Sequence, residues 1–79
     1  MKPLTLAEVA AMNARLGKPD PDPEKPNYGQ LYDTLLRGRC DGTFTMIEHY
    51  DPTFLGRYWD APLGVALARV NRILAEVGE

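Results

Sequence analysis

Towards the end of the chain, apolar residues fall at Leu63, Leu67, Val70, Leu74 and Val77, in steps of four, three, four and three. That spacing is one helical stripe, widened by Ala66 and Ile73, with Arg69, Arg72 and Glu76 lying off it. Asp60 stands where a cap belongs, Pro62 suits a first turn, and Gly78 suits the stop. The pattern predicts a long final helix that needs something to lie against. Leu6, Val9, Met12 and Leu16 give a second stripe and a helix over residues 5–16. Thr5 and Glu8 form its capping box, and Gly17 supplies the stop. Tyr28, Leu31, Tyr32, Leu35 and Leu36 give a third, over residues 27–37, with Asn27 as cap, Gln30 closing the box and Gly38 at the end.

The segments between these helices carry different signals. Residues 18–26 hold four prolines in nine positions, which forbids a helix and favours an extended polyproline path, a stiff spacer over the surface. Residues 39–50 read in two ways. Asp41-Gly42 signals a turn, and residues 43–47 could pair with residues 38–40 as a short β-hairpin. A helix begun by Thr45, with Glu48 at its third position, suits Met46, Ile47 and Tyr50 better, because no good partner strand exists. Asp51-Pro52 then opens a further short helix through Trp59, with Asp51 as cap. The expected fold is mainly α: one domain over residues 1–79, a small bundle of four or five short helices, a proline-rich surface strip at residues 18–26, and a hairpin near residues 38–47 as the alternative to a helix there.

Length and composition narrow the function. A chain of 79 residues buries only about 60–65% of the surface it exposes when unfolded, so a partner subunit is a natural source of further buried area. Cys40 is the one cysteine, which precludes an internal disulfide and fits a reducing cytoplasm; with His49 it cannot complete a four-ligand zinc site. Nine Lys/Arg against eleven Asp/Glu give a net charge of −2, without the basic surplus that direct nucleic-acid binding needs. No apolar run approaches a membrane span, and the first residues have no hydrophobic signal core. The expectation is therefore a cytoplasmic protein.

Catalytic chemistry is poorly represented. The chain has no serine; Cys40 and His49 stand nine residues apart; Glu48, His49 and Asp51 lack the spacing of a metal-binding helix. Gly38, Gly42 and Gly56 do not form a phosphate-binding loop, and Asp20 and Asp22 lie in the proline strip, where no catalytic pocket is expected. No catalytic residue, metal ligand or cofactor is assigned, and the expectation is a non-enzyme.

Binding is better represented. Five of seven aromatic residues fall within sixteen positions, at Phe44, Tyr50, Phe54, Tyr58 and Trp59, with Arg57 among them. Tyr, Trp and Arg dominate interface hot spots, so Tyr50, Phe54, Arg57, Tyr58 and Trp59 are candidate partner-binding residues, although Phe44 and Phe54 also suit a core. Arg37 and Arg39, beside Gly38, add a small basic spot that could meet a phosphate or an acidic partner. The final stripe either packs on the first two helices or serves, through Leu63, Leu67, Val70, Leu74 and Val77, as a homodimer seam.

Two resemblances add to this reading. Leu4-Thr5-Leu6-Ala7-Glu8-Val9-Ala10 resembles the opening helix of excisionase-like winged-helix DNA binders, and Leu35-Leu36-Arg37-Gly38-Arg39 resembles the end of their recognition helix. The chain departs from that family where a long proline strip replaces the tight turn between the two helices. The chain is also similar, in its shortness, mild acidity, lack of motifs and dense aromatics, to small phage-encoded anti-CRISPR proteins. That family shares no motif, so no residue role is carried over. The resemblance implies an inhibitor in the bacterial host cytoplasm that binds a larger protein or nucleoprotein complex, a CRISPR-Cas effector, and blocks it sterically. The excisionase-like resemblance implies instead a small DNA-binding accessory factor.

Overall fold

Helices account for most of the chain. The computed structural model describes residues 2–77, in the order α1 (Leu6–Arg15), α2 (Gln30–Asp33) running on into a π-helical turn (Thr34–Gly38), α3 (Thr43–Tyr50), α4 (Phe54–Tyr58) and α5 (Leu63–Val77). This is the expected small helical bundle. Gly78, the anticipated stop of the final helix, lies outside the described residues. Among the described residues the only β pairing is the isolated Pro26–Pro62 bridge. No helix there is long and apolar enough to cross a membrane.

α5 forms the spine. Leu63, Ala66, Val70, Ile73 and Leu74 are buried and meet Leu4, Val9, Leu31, Leu35, Ile47 and Phe54 in one core. Each large aliphatic group so enclosed contributes about 1.5–3 kcal/mol. The stripe proposed as a homodimer seam is therefore largely consumed inside one protomer. Leu63, Val70 and Leu74 are sealed, Leu67 is half-buried, and only Val77 at the end is exposed.

α1 keeps both sequence signals. The Glu8 amide donates to Thr5 Oγ1 at 3.2 Å, and the Thr5 amide donates to Glu8 Oε1 at 3.4 Å. At the other end Gly17, at φ +72°, lets the Gly17 amide reach Ala14 O and the Lys18 amide reach Asn13 O, the two bonds of a Schellman stop.

The second helix differs from expectation. Its α-helical part starts at Gln30, not Asn27, and its C-terminal half widens into the π-turn. Thr34 Oγ1 donates to the Gln30 carbonyl at 2.8 Å, sharing that acceptor with the Thr34 amide where the α-helix passes into the π-turn. Gln30 closes no capping box, because its Oε1 accepts from Asn13 Nδ2 at 3.0 Å.

Residues 38–47 form no hairpin. α3 starts two residues before Thr45, at Thr43, where Asp41 Oδ1 accepts from the Thr43 amide at 3.1 Å. α4 starts at Phe54, with Thr53 as its N-cap residue. Asp51 helps by its carbonyl, which accepts from the Phe54 amide, while its carboxylate turns to Arg57 and Arg69.

The proline strip is more than a spacer. It turns at residues 22–25, where the Lys25 amide donates to Asp22 O, and then runs antiparallel to residues 59–64. Lys25 O accepts from the Leu63 amide and Pro23 O from the Gly64 amide, both at 2.8 Å. These carbonyls take the first-turn donors of α5 that the sequence assigns to an Asp60 cap. Prolines offer carbonyls and no amide hydrogens, so an acceptor-rich strip suits a helix start, which presents only donors.

Asn27 closes the arrangement. Its side chain is buried; Nδ2 donates to Tyr58 O (2.6 Å) and Ala61 O (3.0 Å), and Oδ1 accepts from the Gly29 amide (3.2 Å). The N-terminal segment is tied down comparably. Leu4 is buried, its amide donates to Asn71 Oδ1 at 2.6 Å, and Asn71 Nδ2 donates back to Leu4 O at 2.8 Å. Replacing Asn27 by Ala strips buried groups of their partners and should lower stability by about 2–4 kcal/mol, measured as a shift in the urea unfolding midpoint. Exposed Thr45→Ala is the neutral control.

Glu8 gives the fold a pH dependence. The hydrogen bond from Arg39 holds its carboxyl below the usual carboxylate range, against an opposing effect of burial. A lowered folded-state pKa stabilises the protein above the unfolded value and loses that contribution as pH falls through the window below about 4.3. Stability should therefore drop through that window, and Glu8→Gln should flatten the drop when urea midpoints are followed against pH.

Candidate binding surface

The aromatic and basic candidates do not form one patch. Phe54 is 1% exposed and belongs to the core, with its ring stacked on Tyr58 at 5.0 Å. Its removal from the candidate set follows from the shortness of α4, which has one inward face and places Phe54 on it. Tyr58 is half-buried, and the Arg57 guanidinium lies over its ring at 5.5 Å. Arg57 also pairs with Asp51 and donates from Nε to Thr53 Oγ1.

Tyr50 and Trp59 are both exposed but separated. The Tyr50 hydroxyl donates to Glu76, near the end of α5; this bond holds the Glu76 carboxyl below its ordinary range. Trp59 sits beside the start of α5. The intervening helix, Leu63 to Glu76, has a length of about 20 Å at 1.5 Å per residue.

The basic spot also dissolves. Arg37 is exposed beside Asp33 at 3.8 Å. Arg39, only 8% exposed in its side chain, donates to both Glu8 carboxylate oxygens and to the carbonyls of Lys2 and Pro3 at 2.7–2.9 Å. All three nitrogens of its guanidinium are engaged in holding the N-terminal segment on α1. Its role is structural, and it leaves no free cation for a phosphate.

What the fold does assemble is a surface around Trp59 and Tyr28. The Tyr28 amide donates to Trp59 O at 2.9 Å. Tyr28 is the most exposed large apolar or aromatic residue, at 63%, and Trp59, at 47%, is the next most exposed aromatic. Both central residues of the Asn27–Gln30 turn have positive φ, +41° at Tyr28 and +88° at Gly29. Gly29 can adopt that conformation freely, but for a bulky Tyr it is strained. The Trp59 ring lies directly on Gly29, where any Cβ would stand 2.9 Å from its Cη2 atom.

Beside this pair an open groove of about 420 Å³ follows the proline strip, with Tyr28, Asp20 and Asp22 among its walls. Beneath the Trp59 ring, between Gly29 and Phe54, the space is only about 10 Å³, room for about one water. Tyr28 was hidden from sequence reasoning by its fit to an apolar helical stripe. The signal that could have found it is Asn27-x-Gly29, two residues that favour left-handed turns, placed where a helix start was expected.

Cys40 and His49 are both exposed. Among the described residues, no group of three His, Cys, Asp or Glu is placed to hold a metal ion. In comparisons with known protein families, curated proteins and solved structures, the chain matches none.

The seating of Trp59 on Gly29 can be tested directly. Gly29→Ala combines a collision with the ring and a strained φ. It should cost at least about 1 kcal/mol of stability and shift the emission maximum of the single tryptophan. An unchanged spectrum at full stability would mean that the ring does not rest there.

Proposed function

We propose that this chain is a non-enzymatic protein-binding module that docks through the Tyr28–Trp59 surface onto a larger assembly and obstructs it sterically. One observation carries the reading: a bulky residue, Tyr28, is held at φ +41° with its side chain largely in solvent, next to a half-exposed tryptophan. Strain of this kind costs about 1–3 kcal/mol and tends to persist where it serves a site. Trp and Tyr are the residue types that anchor interfaces. Asn27, Gly29 and the paired strip hold this corner by backbone and side-chain contacts.

The likeness in size and character to anti-CRISPR proteins gives the reading its concrete form, occlusion of a bacterial CRISPR-Cas effector complex. The excisionase-like alternative gains nothing from the geometry. Arg39 is enclosed, and the described residues include no strand pair to form a wing.

The test begins with capture from a bacterial lysate and mass-spectrometric identification of the partner, followed by titration with purified components. Trp59→Ala should weaken binding by at least about thirtyfold, corresponding to a hot-spot loss of about 2 kcal/mol, while circular dichroism shows the helices intact. Tyr28→Gly should also weaken binding yet cost no stability, because glycine relieves the left-handed strain. A folded Trp59→Ala protein that binds its partner as well as the parent would end this reading.

A further inference from the structure

The charges around Tyr28 and Trp59 indicate what kind of partner the surface takes. Elsewhere most carboxylates have a cation beside them: Glu8 pairs with Arg39, Asp33 with Lys18 and Arg37, Asp51 with Arg57 and Arg69, and Glu76 with Arg72. Six carboxylates among the described residues have no ion-pair partner. Four of the six belong to this corner: Asp20 and Asp22 on the groove wall, Glu24 in the turn of the strip, and Asp60 directly after Trp59. All four are exposed. Two lysines stand here: Lys25 is unpaired, and Lys18 lines the same groove while pairing with Asp33, so four unpaired carboxylates against two cations leave the corner net negative.

Resting on the reading above, we infer that the Tyr28–Trp59 surface and its adjoining groove bind a basic, arginine-bearing segment of a partner protein. A guanidinium is the one common side-chain group that suits both halves of the surface. It stacks on the faces of Trp and Tyr and forms paired hydrogen bonds with carboxylates. Trp59 and Tyr28 supply the aromatic faces; Asp20 and Asp22 share the groove lining with Tyr28, and Asp60 follows Trp59 in the chain. The Trp59 ring is backed by Gly29, so it meets the ligand without first having to be ordered. The excess negative charge sets the orientation of approach and repels nucleic acid and acidic peptides.

The lone tryptophan is the reporter. An oligoarginine peptide titrated into the intact chain should give a saturable change in Trp59 emission. Its affinity should fall by at least about tenfold between about 50 and about 500 mM salt. The triple variant Asp20→Asn, Asp22→Asn, Asp60→Asn alters only exposed groups and should keep its circular dichroism spectrum, yet bind the peptide at least about tenfold more weakly. Oligoglutamate and a proline-only peptide should give no response. Absence of a saturable response to oligoarginine, equal binding by the triple variant, or an equal response to either control peptide each overturns the inference. The two readings fail separately: if the triple variant still binds the natural partner and Trp59→Ala does not, the docking surface stands and only its basic ligand is wrong.

Discussion

The structure depends on the antiparallel pairing of the proline strip with the segment that leads into α5. Four backbone hydrogen bonds link the two, from Asn27, Tyr28, Leu63 and Gly64 to Ala61, Trp59, Lys25 and Pro23 respectively. They fix where α5 begins, and with it the register of the spine on which the core is packed. The same bonds place Tyr28 next to Trp59 and bring Gly29 under the indole ring. Without the pairing, the strip would be a loose connection and α5 would start with open donors. The core and the exposed aromatic corner are two outcomes of one local arrangement.

Small side-chain amides complete that arrangement. Asn27 bridges the strip to the end of α4, Asn71 holds both backbone groups of Leu4, and Asn13 joins Pro19 O to Gln30. Each of these asparagines uses donor and acceptor atoms, or both hydrogens of its Nδ2, to tie segments remote in sequence. In a chain too short for a large core, such bridges replace part of the missing apolar area. Arg39 does the same with charge, locking the N-terminal segment to α1 through Glu8.

Much of the fold was legible from local periodicity. The α1 capping box, the Gly17 stop, the inward stripe of α5 and the helix over most of residues 39–50 all follow from the spacing of apolar residues and their punctuation. These are short-range signals, and short-range bonds satisfy them. What escaped was decided by partners far along the chain. Asp60 reads as a cap, but the donors it would take are met by Pro23 and Lys25, some forty residues earlier. Asn27 reads as a helix cap, but its Nδ2 is spent on Tyr58 and Ala61. Arg39 reads as a free cation until the N-terminal segment folds over it. The candidate surface was half legible. Trp59 stood out by residue type, whereas Tyr28 matched a helical stripe, and only the turn's positive φ shows that it lies outside the helix. Tyr50 and Phe54 clustered with Trp59 in sequence, but the chain bends between them.

One consequence of the strip reaches beyond the single molecule. An exposed pair of extended segments is ordinarily a hazard, since its outer backbone groups can template the next strand and start a growing stack. Here that edge carries proline at four of nine positions and again at Pro62 across the bridge. At those positions it lacks the amide hydrogens that a further strand would have to find. The chain can therefore display an extended, solvent-facing ribbon at high concentration with little tendency to recruit its own copies into fibrils.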